Sequence, residues 1–125
     1  MAKHQERLHA LFYLYQCLLK TDYANGFDKE DFLTLSPRFK KVVLYALNEK
    51  DGLAELCNES LHEWEFNRLG YIEQAILLLA CSETVCFNIE KQVIINESII
   101  FAKEYGEQDE TYKLINATLD KVLNV

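Results

Sequence analysis

The segment from Arg68 to Glu83, RLGYIEQAILLLACSE, constrains the fold more than any other. Leu69, Ile72, Ala75, Ile76, Leu79 and Ala80 recur at helical spacing, and Leu77 and Leu78 widen the stripe towards the full circumference. A helix that is apolar nearly all round cannot lie on a surface, so the rest of the chain must wrap it. Its longest apolar run, Ala75 to Cys81, is far short of the roughly 18 residues a membrane span requires. The segment therefore predicts a central, nearly encircled helix in a water-soluble bundle.

The remaining segments supply helical walls. Leu8, Leu11, Phe12, Tyr15, Leu18 and Leu19 follow the i, i+3, i+4, i+7 rule, predicting an amphipathic helix over about residues 5–20 whose outer face carries Lys3 and Arg7. A turn at Asn25-Gly26, an N-cap at Asp28 and a Phe27–Phe32 staple announce a short second helix. Ser36 as N-cap and Pro37 at the first helical position open a third, with Phe39, Val42, Val43, Ala46 and Leu47 on one face. Asp51-Gly52 is expected to break it, and Leu53, Leu56, Cys57 and Leu61 trace a fourth. At the C-terminal end Leu114, Ile115, Thr118, Leu119, Val122 and Leu123 keep the same period after a capping-prone Asp109.

Between these lies QVIINESIIFAKEYG, Gln92 to Gly106, which sets Asn96 and Glu97 inside a run of β-branched residues. Strand propensity is high, but strict alternation fails at Ile94-Ile95 and at Ile99-Ile100. Ile94, Ser98, Phe101, Ala102 and Tyr105 instead keep helical spacing, with Gly106 as the terminator. Asn96 and Glu97 are then expected together on a face away from that stripe. The fold class is all-α: a compact single-domain bundle spanning residues 1–125.

Several function classes are excluded. Cys17, Cys57, Cys81 and Cys86 form no C-x-x-C pair, and His62 to Phe66, HEWEF, lacks the second histidine of a zinc protease, so no metal or other cofactor is expected. Four glycines offer no phosphate-cradling loop and no nucleophile elbow, which argues against an enzyme. The start MAKHQERLHA lacks a signal-peptide core, and the chain reads as cytoplasmic. Net charge is −7, but unevenly spread: residues 1–50 carry 8 basic against 6 acidic groups, and residues 51–125 carry 5 against 14. A small basic site can thus coexist with an acidic surface suited to a basic partner.

Four segments also carry a resemblance. VIINESIIFAKEYG resembles V-x-I-N-E-A-[IV]-x-[LF]-A-K-x-[FY]-G of the NusB family of bacterial transcription antitermination factors. RLHALFYLYQ (Arg7 to Gln16), WEFNRLGYIEQAILLLACSE (Trp64 to Glu83) and LINATLDKVL (Leu114 to Leu123) are similar to the family's N-terminal, central and C-terminal signatures, in the same order. The resemblance implies an all-helical, NusB-like fold of about seven helices and an RNA-binding adaptor. Its implied partners are a single-stranded ribosomal RNA leader element, a small-subunit ribosomal protein that doubles as an antitermination factor, and RNA polymerase. Homodimers occur in the family, and no residue here selects for or against one.

Carried over position by position, the implied RNA contacts are Lys3, His4, Arg7, Tyr15, Asp109, Glu110 and Leu114. Glu73 matches a family carboxylate at the protein interface, and Asn96 and Glu97 are candidate partner contacts. Departures concentrate on the RNA side. The family's arginine cluster is thinned to Lys3, His4, Gln5 and Arg7, Leu114 stands where an aromatic is usual, and Ala117 replaces a glycine. Leu78 replaces an arginine and Ser82 a tyrosine in the central helix. The alternative is a helical protein-interaction module that has lost specific RNA binding.

Overall fold

The computed structural model describes residues 3–20, 29–61 and 64–124. Among them the chain forms seven α-helices and one 3-10 turn, with no strand. The helices are α1 (Lys3–Leu19), α2 (Lys29–Thr34), α3 (Pro37–Asn48), α4 (Lys50–Asn58), α5 (Tyr71–Cys86), α6 (Lys91–Tyr105) and α7 (Thr111–Val122), with the 3-10 turn at Phe66–Arg68 before α5. The turn expected at Asn25-Gly26, the Asp28 cap, Phe27 and the His62-Glu63 pair lie outside the described residues.

α5 is the predicted central helix, in contact with α1, α3, α4, α6 and α7. Every residue from Ile72 to Glu83 is buried. At roughly 1.5–3 kcal/mol for each fully buried large aliphatic side chain, Ile76, Leu77 and Leu78 together contribute about 5–9 kcal/mol of hydrophobic stabilisation. Leu78, at a position usually held by arginine in the resembled family, is fully enclosed. Cys57 and Cys81 are buried, and all four cysteines are free thiols.

Local sequence explains most boundaries. Ser36 caps α3, its Oγ accepting the Phe39 N–H at 3.4 Å, with Pro37 in the first turn. α5 starts at Tyr71 rather than Arg68, because Phe66 to Arg68 tighten into the 3-10 turn, where the Phe66 N–H donates to Asn58 Oδ1 at 2.7 Å. The break expected at Asp51-Gly52 falls earlier, at Glu49 (φ −106°, ψ 17°). The Leu53 N–H donates to Glu49 O, so Asp51 and Gly52 belong to the first turn of α4. An acid is favoured there by the helix dipole, and an exposed helical glycine costs only about 1 kcal/mol. Leu56, expected on the buried face of α4, is 41% exposed, and Leu61 packs inward from beyond its end. α7 begins after Glu110, without a side-chain cap from Asp109.

α6 ends at Gly106 as expected, but in extended backbone (φ −60°, ψ 147°) rather than a left-handed turn. Space, not conformation, calls for glycine here. An added Cβ would collide with the Ala102 carbonyl oxygen and lie 3.3 Å from Glu73 Oε2.

Candidate functional site

Polar residues enter this core at both ends of α5. Glu73 lies in its first turn and Glu83 near its last, ten residues and about 15 Å apart along the axis.

At the Glu83 end, α1 delivers Arg7. The sequence reading placed Arg7 on the outer face of α1, and the structure corrects this: Arg7 is 4% exposed. Positions 7, 10, 11, 14 and 18 form one continuous buried stripe, and Arg7 is its first member. Arg7 Nε donates to Glu83 Oε1 at 2.7 Å and Nη2 to Glu83 Oε2 at 2.6 Å, a bidentate pair, while Nη1 donates to Glu97 Oε1 at 2.8 Å. Burial would lower the Arg7 pKa, but the hydrogen bonds and charges of Glu83 and Glu97 outweigh it and hold it above its ordinary value. His4, one turn earlier and exposed, meets Glu97 Oε2 through Nδ1 at 2.7 Å.

Asn96 and Glu97 therefore do not share a face, contrary to expectation. Asn96 is exposed and accepts from Gln92 Nε2 at 2.9 Å, whereas the Glu97 side chain is 16% exposed and turned onto α1. The reason is the 100° step between neighbouring helical residues. Glu97 follows Ile94 by three and precedes Phe101 by four, which puts it on the rim of the buried stripe.

Beyond Glu83 sits Arg38, near the start of α3, its Nη2 3.9 Å from Glu83 Oε2. Its guanidinium carbon lies 4.2 Å from the Phe87 ring centroid, and Lys41 Nζ approaches the same ring at 5.4 Å. Arg38, Lys40 and Lys41 are among the eight basic groups of residues 1–50, but neither Phe87 nor Glu83 was expected to organise them. A carboxylate inside the most apolar segment was the available signal for Glu83.

At the other end, Glu73 is 3% exposed. Its Oε2 accepts the Glu107 N–H at 2.9 Å, and its Oε1 is buried without a hydrogen-bond partner among the described residues. Gly70 and Gly106 flank the carboxylate, and a Cβ on either would press on it. Burial raises the Glu73 pKa above the usual carboxylate value, against the opposing hydrogen bond from Glu107. The carboxylate lines a cleft of about 320 Å³ with Trp64, Arg68, Glu107, Glu110 and Leu114.

The structure thus gathers Glu73, Glu110 and Leu114 in one cleft, and His4, Arg7 and Glu97 in one network at the far end of α5. Lys3 is exposed at the start of α1, Asp109 is exposed in the turn before α7, and Tyr15 is half-buried against the core. Among the described residues no group of three or more His, Cys, Asp and Glu side chains is arranged to hold a metal ion, and no helix is long and apolar enough to cross a membrane.

A family model described as the NusB family matches residues 4–124. A transcription antitermination protein NusB from Exiguobacterium sp. is 31% identical over 129 residues, covering 98% of each chain. Another, from Cyanothece sp., is 30% identical over 82 residues, 66% of this chain, and the match spans only 39% of that relative's length. Among solved structures, T. maritima NusB superposes with a TM-score of 0.82 at 23% identity, covering 99% of this chain and 92% of that one.

Proposed function

The chain belongs to the NusB family, and from that premise we propose that it is an RNA-binding adaptor in transcription antitermination. It would engage a single-stranded ribosomal RNA leader element together with a small-subunit ribosomal protein and carry both to RNA polymerase. The observation that carries this reading is the family match over residues 4–124, joined to relatives that are themselves transcription antitermination proteins.

The geometry supports a division of labour. Arg7, saturated by Glu83 and Glu97, is a positioning residue: it fixes the start of α1, so that Lys3 and His4 are presented to phosphate from a rigid base. At the other end, the cleft with Glu73, Glu107 and Glu110 suits a lysine or arginine side chain of a basic ribosomal protein, for which the orphaned Glu73 Oε1 is the acceptor. Asn96, exposed on α6, remains a candidate partner contact, whereas Glu97 serves the Arg7 network. Asp109, Glu110, Leu114 and Tyr15 as RNA contacts belong to the same proposal.

One observation favours a second reading, a protein-docking module without RNA affinity. Burial of Arg7 leaves only Lys3 and His4 exposed from the expected N-terminal cations, and each absent phosphate contact weakens binding. Fluorescence anisotropy of a labelled ribosomal leader RNA, with and without the small-subunit protein and at two salt concentrations, separates the two. Salt-sensitive binding strengthened by the partner establishes the adaptor. Partner binding with no RNA affinity in either case establishes the docking module.

A further inference from the structure

The guanidinium of Arg38 is an unusual group in this fold. Its carbon lies 4.2 Å from the Phe87 ring centroid, yet its hydrogen-bonding capacity is almost unused. Nε is buried and has no acceptor among the described residues. Nη2 has only the 3.9 Å approach to Glu83, beyond hydrogen-bond range, because the bidentate bond from Arg7 already occupies both oxygens of that carboxylate. An arginine held on an aromatic face, with Nη1 and Nη2 making no hydrogen bond among the described residues, is preorganised for a charge-assisted anion contact through those terminal groups. Lys41, one turn further along α3, is exposed and adds a second cation over the same ring.

We propose that Arg38 and Lys41, braced on Phe87, form a phosphate-binding site that extends the RNA path from the start of α1 onto α3. This rests on the RNA-binding reading above. Continuity is the reason to prefer RNA over an acidic protein. Arg7 and Arg38 converge on one oxygen, Glu83 Oε2, at 2.6 and 3.9 Å, so the Lys3–His4 end of α1 and the first turn of α3 lie side by side. Nothing on α1 restores the cations that the burial of Arg7 removes from the surface, and Arg38 and Lys41 supply two beside it. Glu83 does not repel the incoming phosphate strongly, since it is fully buried and its charge is paired with Arg7.

The test titrates a fluorescein-labelled single-stranded ribosomal leader RNA against wild type, Lys3→Ala, Phe87→Leu and the Arg38→Ala/Lys41→Ala double variant over a series of salt concentrations, with circular dichroism melting as the folding control. Removing two phosphate contacts lowers the salt slope by about 1.4 and removing Lys3 by about 0.7, at about 0.7 per contact on a single strand. Phe87→Leu, which keeps both charges but removes the stacking face, is expected to weaken binding several-fold with a smaller change in slope. If wild type binds and the double variant keeps the full slope, the α3 site is overturned and the RNA reading stands. If wild type does not bind with or without the small-subunit ribosomal protein, the RNA reading itself fails and this inference falls with it. A double variant that loses affinity for a labelled poly-glutamate peptide but not for RNA reassigns the patch to an acidic protein and also overturns it.

Discussion

Arg7 on α1 and Glu83 on α5, 76 residues apart in the chain, meet in a fully enclosed bidentate pair with N–O distances of 2.7 and 2.6 Å. Glu97 closes the network from α6, so three helices are tied together at one end of the bundle by a single guanidinium. This arrangement makes Arg7 a structural cation.

Breaking the pair from one side is therefore expected to be severe. Arg7→Ala leaves the buried Glu83 without its hydrogen-bonded partner, with only Arg38 Nη2 at 3.9 Å beside it, and should lower unfolding stability by about 3–5 kcal/mol in urea titration. The double variant Arg7→Met/Glu83→Leu removes both charges at similar volume and should recover most of that loss. A single variant with stability near wild type would show that the network carries no structural role.

The cradle around Glu73 gives a steric prediction. Gly106→Ala drives a Cβ into the Ala102 carbonyl oxygen and towards Glu73 Oε2 and Thr111 Cβ. Backbone and a buried carboxylate have little room to yield, so a loss of about 1–3 kcal/mol is expected in thermal or urea unfolding. Gly52→Ala, whose Cβ meets nothing within 4 Å, should instead be neutral or stabilising by up to about 1 kcal/mol.

Glu73 also predicts a direction with pH. Its folded-state pKa is raised by burial above the unfolded value, so the folded state holds the proton more tightly. As pH rises from the ordinary carboxylate range through the raised value, the unfolded chain ionises first and stability falls. Glu73→Gln removes that dependence. Urea midpoints of wild type and variant, measured between acid and neutral pH, should diverge in favour of the variant as pH rises, and parallel curves would contradict the assignment.

Ser36 carries a conventional capping role that is open to measurement. Ser36→Ala deletes the acceptor for the Phe39 N–H at the start of α3 and should cost about 1 kcal/mol. Ser36→Asp should restore it, since a carboxylate accepts the same bond and suits the positive end of the helix.

Much of this architecture was legible because helical spacing and caps are local properties. The apolar period of residues 68–83 announced an encircled helix, and Tyr71–Cys86 is one, buried on every side through most of its length. Ser36-Pro37 announced the start of α3, and the failed alternation at Ile94-Ile95 correctly pointed to a helix despite β-branched residues. Glycine was expected at the end of α6 as a helix terminator, whereas Gly106 is required there chiefly because a Cβ would collide with the Ala102 carbonyl oxygen.

What the sequence by itself determined was which residues share a helix and where most of its apolar stripe runs. Only the tertiary structure decided which polar group meets which, turning Arg7 inward onto Glu83, separating Glu97 from Asn96, and seating Glu73 against the Glu107 backbone. Periodicity encodes a direction around one helix axis. Partners across the core depend on the crossing of helices and on the order in which carboxylates are claimed, and neither is written in spacing along the chain.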